Sequence, residues 1–427
     1  VSDTPFFGGG DFLRNMLGDL VRMMPTGPGL QWQLAYQLAA QIASGGGPDA
    51  NPDPIERIRF EELSAIAELH VAEVTGMPIS PAGGSVRLVP TNRAEWSRRI
   101  LDIWHPVLDR LVAVLAPDDV AGESHASGRP DGSATGGLPG ATGPLEPADP
   151  FGEGLDETSE DEEGMEALLG QWATAMFPAM TAWQVGSVAG HLAERALGQY
   201  DVPLSAATGN ELLVVSANLA VVAADWSLPI DDLRLWLCVH EMAYHTALSR
   251  PAVSDRIASL VIEHAQRVRP DADALSQLLQ QADPTDVASF AQILGDPSAL
   301  QQGAASAALE QVRAELDAVT AAVSGYAEYV TNIIANRLIG NTTPIGEAMR
   351  RRRVSRGDGE KVAETLFGLR LDQAQIDRGG RFVAGVLDRS GELQLARMWT
   401  EANHLPTPAE VDAPGLWLAR LELPEDS

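Results

Sequence analysis

The 427 residues contain one cysteine, Cys238, which excludes an internal disulfide and favours a reducing compartment. Cys238 sits in an apolar run and is expected to be a buried, inert thiol. Basic residues are scarce: 30 lysines and arginines stand against 59 aspartates and glutamates, a formal net charge of -29. A surface of that sign repels phosphate backbones and anionic membranes, so neither nucleic acid nor membrane is expected as a partner. The one basic run, Arg350-Arg351-Arg352-Arg353, is too short to reverse this and reads as a solvated loop or a clamp onto acidic sequence. Aromatic residues make up only 5%, and Trp32, Trp183, Trp226 and Trp236 fall in helical text, where a core role is expected. No run approaches the roughly 18 uninterrupted apolar residues of a membrane span. The opening VSDTPFFGGGDFLRNML lacks the basic and long apolar regions of a secretory leader, and a cytoplasmic location is expected. A G-x-S-x-G elbow is missing, and GGGPDANP lacks the lysine and helix start of a phosphate loop.

What is present is apolar text with helical period. Hydrophobic residues reach 45%, enough for a sizeable core. Residues 1–50 form a Gly-rich, then amphipathic segment, and residues 51–116 read as helical, with IERIRFEELSAIAELHVAEVTG and RAEWSRRILDIWHPVLDRLVAVL recurring every three or four positions. Residues 117–164 are mostly Gly, Ser, Pro, Ala and acid, ending in DETSEDEEG. Such text cannot offset its chain entropy by apolar burial, and a disordered insertion is expected. Residues 165–427 resume the helical pattern, interrupted by ELLVVSANLAVV, where a short strand region from about Leu212 to Val222 is expected. The fold class is therefore mainly α.

The chemistry concentrates in LWLCVHEMAYHTAL, Leu235 to Leu248. Pro229 precedes this helix, Asp231 or Asp232 is placed to cap it, and no breaker follows until Pro251. The text opens like H-E-x-x-H, in which two imidazoles four apart hold one zinc and the glutamate activates its water. Here the second histidine is His245, one residue late, and Tyr244 stands in its place. Residues four apart on a helix lie about 40° apart, residues five apart about 140°. His240 therefore shares a face with Trp236, Leu237 and Tyr244, whereas His245 shares one with Arg234, Cys238 and Glu241. His240 and His245 can hold one metal only if a π-bulge realigns them. The same residues also fit an ordinary helix, with His240 a hydrogen-bonded core residue and Glu241 with His245 a surface pair.

Other histidines carry weaker signals. His191 reads as buried beside Gly186 and Gly190, His105 before Pro106 as a helix end or kink, and His70 and His404 as packing or surface residues. His125 falls in the insertion. His264 beside Glu263 offers a substitute ligand together with His240 and a carboxylate.

GHLAERALGQYDVPL, ELLVVSANLAVVAADWSLPIDDLRLWLCVHE, VSGYAEYVTNII and the C-terminal LFGLRLDQAQIDRGGRFVAGVL together resemble the actinobacterial zincin-like family of zinc-dependent metallopeptidases. That family is also labelled F420-biosynthesis-associated or hydrolase, without an established substrate. LGQYD (Leu197 to Asp201) and R-L-W-x-x-x-H-E (Arg234 to Glu241) carry the likeness most clearly, and it extends over nearly the whole chain outside the insertion. The resemblance implies a zincin-like fold and a zinc pattern of H-E-x-x-H followed by a segment like E-G-Y-x-x-H. His240 and Glu241 match the first ligand and the catalytic glutamate. Tyr244 replaces the second ligand; Ser324 stands at the later glutamate and Tyr329 at the later histidine, with Glu328 adjacent. A degenerate site is thus expected, in a non-catalytic binding or scaffold protein with a protein or peptide partner. The alternative is an active zinc peptidase with a shifted ligand set, His240 and His245, and Glu241 as general base.

Overall fold

A computed structural model describes residues 28–80, 83–115, 181–204, 209–268, 307–370 and 372–423. The 117–164 insertion, with His125, and most of the N-terminal segment lie outside them. Residues 29–115 and 180–427 make up one compact unit.

The unit is predominantly helical. Helix α1 runs Pro28–Ala43 and α2 Pro54–Thr75. Local chemistry sets the ends of α2. Asp53 accepts a hydrogen bond from the Ile55 amide at 2.9 Å, Pro54 occupies the first turn, and Gly76 closes the helix in the left-handed region at φ 63°. Strand β1, Arg87–Thr91, leads into α3, Arg93–Leu115, which continues through His105 and Pro106 and does not end there. The loss of one backbone hydrogen bond at Pro106 is outweighed by burial of Trp96, Ile100, Trp104 and Leu108 on the same helix.

Residues 181–193 form α4. After the LGQYD turn comes β2, Glu211–Val215, parallel to β1 with Arg87 opposite Glu211 and Thr91 opposite Val215. These are the only strands among the described residues. The strand expected to reach Val222 stops at Val215, and α5 occupies Ser216–Asp225. A short apolar run does not distinguish strand from buried helix, and here it contains both.

Helix α6, Ile230–Leu248, carries the HE residues, and α7 follows at Pro251–Val268. The long α8, Ala307–Leu338, packs on α6, α7 and, across a close crossing, on α11, Gln373–Leu395. At that crossing a Cβ on Gly379 would stand 1.7 Å from the Ala321 carbonyl oxygen. Only glycine admits such a backbone approach, and it fixes how the middle turns of α8 lie against α11.

Between them lie α9, Thr343–Val354, and α10, Asp358–Phe367. The chain ends in α12, Pro408–Asp412, and α13, Pro414–Glu422. The arginine run closes α9 and is not a loop. Arg351, Arg352 and Arg353 sit in the last turn, where the helix dipole favours cations, and the run pairs with the folded body: Arg350 with Asp377, Arg352 with Asp201, Arg353 with Glu328. Trp236 is buried as expected, but Trp183 and Trp226 lie at the surface, the latter under the Arg351 guanidinium. No described helix is long and apolar enough to cross a membrane.

Candidate functional site

Helix α6 is buried along nearly its whole length. Pro229 holds the N-cap position without a side-chain hydrogen bond, so Asp231 and Asp232 lie inside the first turn and do not cap it. Asp231 instead accepts from Arg234 at 2.6 Å. Arg234 also forks onto Glu56 of α2, Nε to Oε2 at 3.0 Å and Nη2 to Oε1 at 2.5 Å, anchoring α6 in register.

The α6 backbone is regular α-helix from Ile230 to Leu248, with no π-bulge. His240 and His245 accordingly face different neighbours. The imidazole of His240 lies between Trp236, at 4.7 Å and 25°, and Tyr244, at 4.9 Å. His245 shares a 2.7 Å hydrogen bond between its Nδ1 and the Tyr200 hydroxyl. The ligand pair His240 and His245 is not assembled.

Glu241 and His245 form no surface pair: they are 0% and 1% exposed. Both are occupied by LGQYD. The Glu241 carboxylate accepts the Tyr200 amide at 2.9 Å and contacts His240 Nδ1 at 3.3 Å. It also lies directly under Gly198, where a Cβ would come within 2.2 Å of its Cδ. Burial pushes the Glu241 carboxyl above its ordinary value, partly offset by His240 and the Tyr200 amide. Burial, with the Arg250 charge, holds His245 neutral, its pKa lowered to about 4.

The rest of LGQYD is equally committed. Asp201 accepts the Leu197 amide at 2.6 Å and Arg352 at 3.2 Å, while Trp96 donates to the Gly198 carbonyl at 3.1 Å. Sequence reasoning marked LGQYD as a hallmark but could not name its partners, which lie up to 151 positions away.

On its other face α6 borders a cavity of about 70 Å³. His240 and Tyr244 line it, together with Thr320 and Ser324 from α8. Of the two later ligand positions, Ser324 lines the same cavity as His240. Tyr329 points elsewhere, donating to Glu392 of α11 at 3.1 Å, and Glu328 is taken by Arg353. Burial pushes the Tyr244 phenol up to about 12, against the pull of Arg353 and a hydrogen bond from Ser324. Neither Glu241 nor His245 reaches the cavity wall. Cys238 is buried, its thiol pushed far up by desolvation.

The remaining histidines stay apart. His264 is buried against α10, with Nε2 3.3 Å from the Thr365 carbonyl and the Gly368 turn over its ring, so no set of His240, His264 and a carboxylate forms. His191 is not buried: its side chain is 37% exposed. His105 packs on Trp32 at 4.0 Å, His70 lies beside Glu73, and His404 bonds Thr400.

Zinc, which the resemblance implies, needs three good donors and a free position for water. Here it meets one imidazole, that of His240, beside a protonated phenol and a serine hydroxyl, and Glu241 is held by the LGQYD turn. That donor set does not fit zinc. Among the described residues no group of three or more His, Cys, Asp or Glu side chains is placed to hold a metal ion.

No curated protein matches the chain. A crystallised protein from Chloroflexus aurantiacus, described as a "putative hydrolase with a novel fold", is similar at 21% identity with a TM-score of 0.53. The match covers 93% of this chain and 99% of that one, and shows a shared fold. A family model described as zincin-like metallopeptidase spans residues 30–418, a stretch that includes both the LGQYD turn and the HE helix, and the chain belongs to that family.

Proposed function

We propose that this is a non-catalytic member of the zincin-like metallopeptidases, a binding protein whose ligand sits in the cavity beside His240. The observation that carries the reading is the orientation of Glu241. In a working peptidase that carboxylate deprotonates a metal-bound water. Here it is buried beneath Gly198 and accepts the Tyr200 amide, which makes it a brace for the LGQYD turn. The protonated phenol of Tyr244 at the second ligand position supports the same conclusion. A reducing, cytoplasmic setting belongs to the proposal, supported by the single buried cysteine.

Metal analysis of the purified, tag-free protein tests it. The expected result is substoichiometric zinc and an unchanged thermal midpoint on zinc addition. The double variant Tyr244→His, Ser324→Glu rebuilds a three-ligand set and is expected to take up about one zinc per chain. About one zinc in the wild type, lost in His240→Ala, overturns the reading.

A further inference from the structure

On a chain of net charge -29 the cavity at His240 is a basic hollow. Arg352, Arg353, Arg356 and Arg370 contribute to its wall. The carboxylates there are fewer, namely Asp201, Glu360 and Asp372. Each guanidinium has an acidic partner, Arg370 having Asp317, Glu364 and Asp372 within reach, but the pairing is uneven. Arg352 is engaged with Asp201 and the Arg195 carbonyl. Arg353, only 14% exposed, has among the described residues a single hydrogen bond, to Glu328 at 3.4 Å. Arg356 reaches Glu364 through Nη2 but leaves its Nε buried with no partner.

A second orphan belongs to another residue of the cavity lining. His240 is 5% exposed, and its Nε2 is buried without a hydrogen bond. Its Nδ1 is taken by Glu241, which leaves Nε2 as the unpartnered ring nitrogen of a residue that lines the cavity. Buried polar atoms without partners are uncommon in folded proteins, and two on one small cavity point to a group that completes them. Tyr244 and Ser324 add hydroxyl groups to the same wall, whereas the Thr320 hydroxyl donates to the Leu316 carbonyl.

We propose that this cavity binds the phosphate group of a small molecule. The inference rests on the reading of the cleft as a binding site. Phosphate carries a charge of about -1.5 to -2 near neutral pH and three strong acceptor oxygens, which planar guanidinium groups engage in pairs. The Nε2 of His240 serves either as an N–H donor or as acceptor for a phosphate O–H. A volume of about 70 Å³ leaves room for such a group.

Isothermal titration of the full chain with inorganic phosphate and with glycerol 3-phosphate, at constant ionic strength and with citrate as the carboxylate comparison, tests the assignment. Saturable phosphate binding with Kd below about 1 mM is expected. It should weaken at least about tenfold in Arg353→Met and in Arg356→Met. It should be unchanged in Arg256→Met, whose guanidinium pairs with Glu315 away from the cavity. Tighter binding of glycerol 3-phosphate than of inorganic phosphate identifies the ester as the ligand form, and the reverse order identifies the free ion. No saturation by about 10 mM, preference for citrate, or wild-type affinity in both cavity variants overturns the proposal. Should those variants fail to fold, histidine-labelled wild-type protein decides by NMR. Phosphate must shift the His240 Nε2 resonance, assigned by its loss in His240→Gln, and an unmoved resonance overturns the assignment. A failed titration with no bound zinc sinks the phosphate assignment alone, whereas bound zinc with peptide cleavage sinks the binding reading itself.

Discussion

The two faces of α6 hold the same kinds of residue and treat them in opposite ways. Toward the LGQYD turn, Glu241 and His245 are sealed and hydrogen-bonded to Tyr200, under a glycine that leaves no room for motion. Toward the cavity, His240 and Tyr244 line an open volume: His240 leaves its Nε2 unpartnered, as His245 does on the closed face, and the Tyr244 hydroxyl meets Ser324. Adjacent positions on a helix diverge by about 100°, so Glu241 serves the turn while His240, one residue before, serves the cavity. A glutamate next to a histidine is therefore no report of catalysis; what matters is which neighbour claims the carboxylate.

The severest way to break this contrast is to crowd the closed face. Gly198→Ala places a methyl 2.2 Å from Glu241 Cδ, and Glu241 is also tied to the Tyr200 amide. A loss of about 3 kcal/mol or more is expected, measured by chemical denaturation. A loss below about 1 kcal/mol would mean that Glu241 can swing aside, and the claim that it is a fixed brace would fail.

Acid titration sharpens the comparison next. His245 has a folded-state pKa lowered from 6.5 to about 4, so the unfolded chain binds its proton first as pH falls. Its contribution is present above pH 6.5 and is lost on the way down to about pH 4. Glu241 has the opposite sign: its carboxyl is raised above 4.5, so it favours the fold at low pH and that contribution fades as pH rises. Comparing wild type with His245→Gln isolates the histidine. The drop in stability between pH 6.5 and pH 4.5 should be smaller in the variant by about 2–3 kcal/mol. Equal drops would show that His245 is solvated and that the closed face is open. His264, also lowered to about 4 by burial, continues to contribute in both proteins.

Much of this site was legible because helical pitch is a local rule. The extent of α6, the partnership of His240 with Trp236 and Tyr244, and the separation of His245 from His240 all follow from spacing within 19 residues. What spacing could not supply was burial and distant partners. Glu241 and His245 read equally well as a solvated pair, because nothing in α6 announces that Tyr200, 41 and 45 positions earlier, covers them. The arginines of α9 looked like a loop because their acidic partners, Asp201 and Glu328, are remote in sequence. The ambiguity between Ser324 and Tyr329 was a matter of helix rotation, which the close crossing of α8 and α11 at Gly379 fixes. At ELLVVSANLAVV the apolar text was real but the element changed inside it, because composition alone marks burial and not backbone geometry.

The mildest test compares two phenols on the two faces. Tyr200 and Tyr244 have nearly parallel rings 6.1 Å apart, and replacing either by Phe removes a single hydroxyl. At Tyr200 that hydroxyl is the partner of His245 Nδ1, whose Nε2 already lacks one, so Tyr200→Phe strands a fully buried imidazole. A cost of about 1–2 kcal/mol is expected. At Tyr244 the hydroxyl borders the cavity with Ser324, where water can replace it, and Tyr244→Phe should stay within about 0.5 kcal/mol of wild type. Denaturation curves taken side by side decide the matter. Equal losses would mean that the cavity is as tightly packed as the LGQYD contact, leaving no basis for assigning structure to one face and ligand binding to the other.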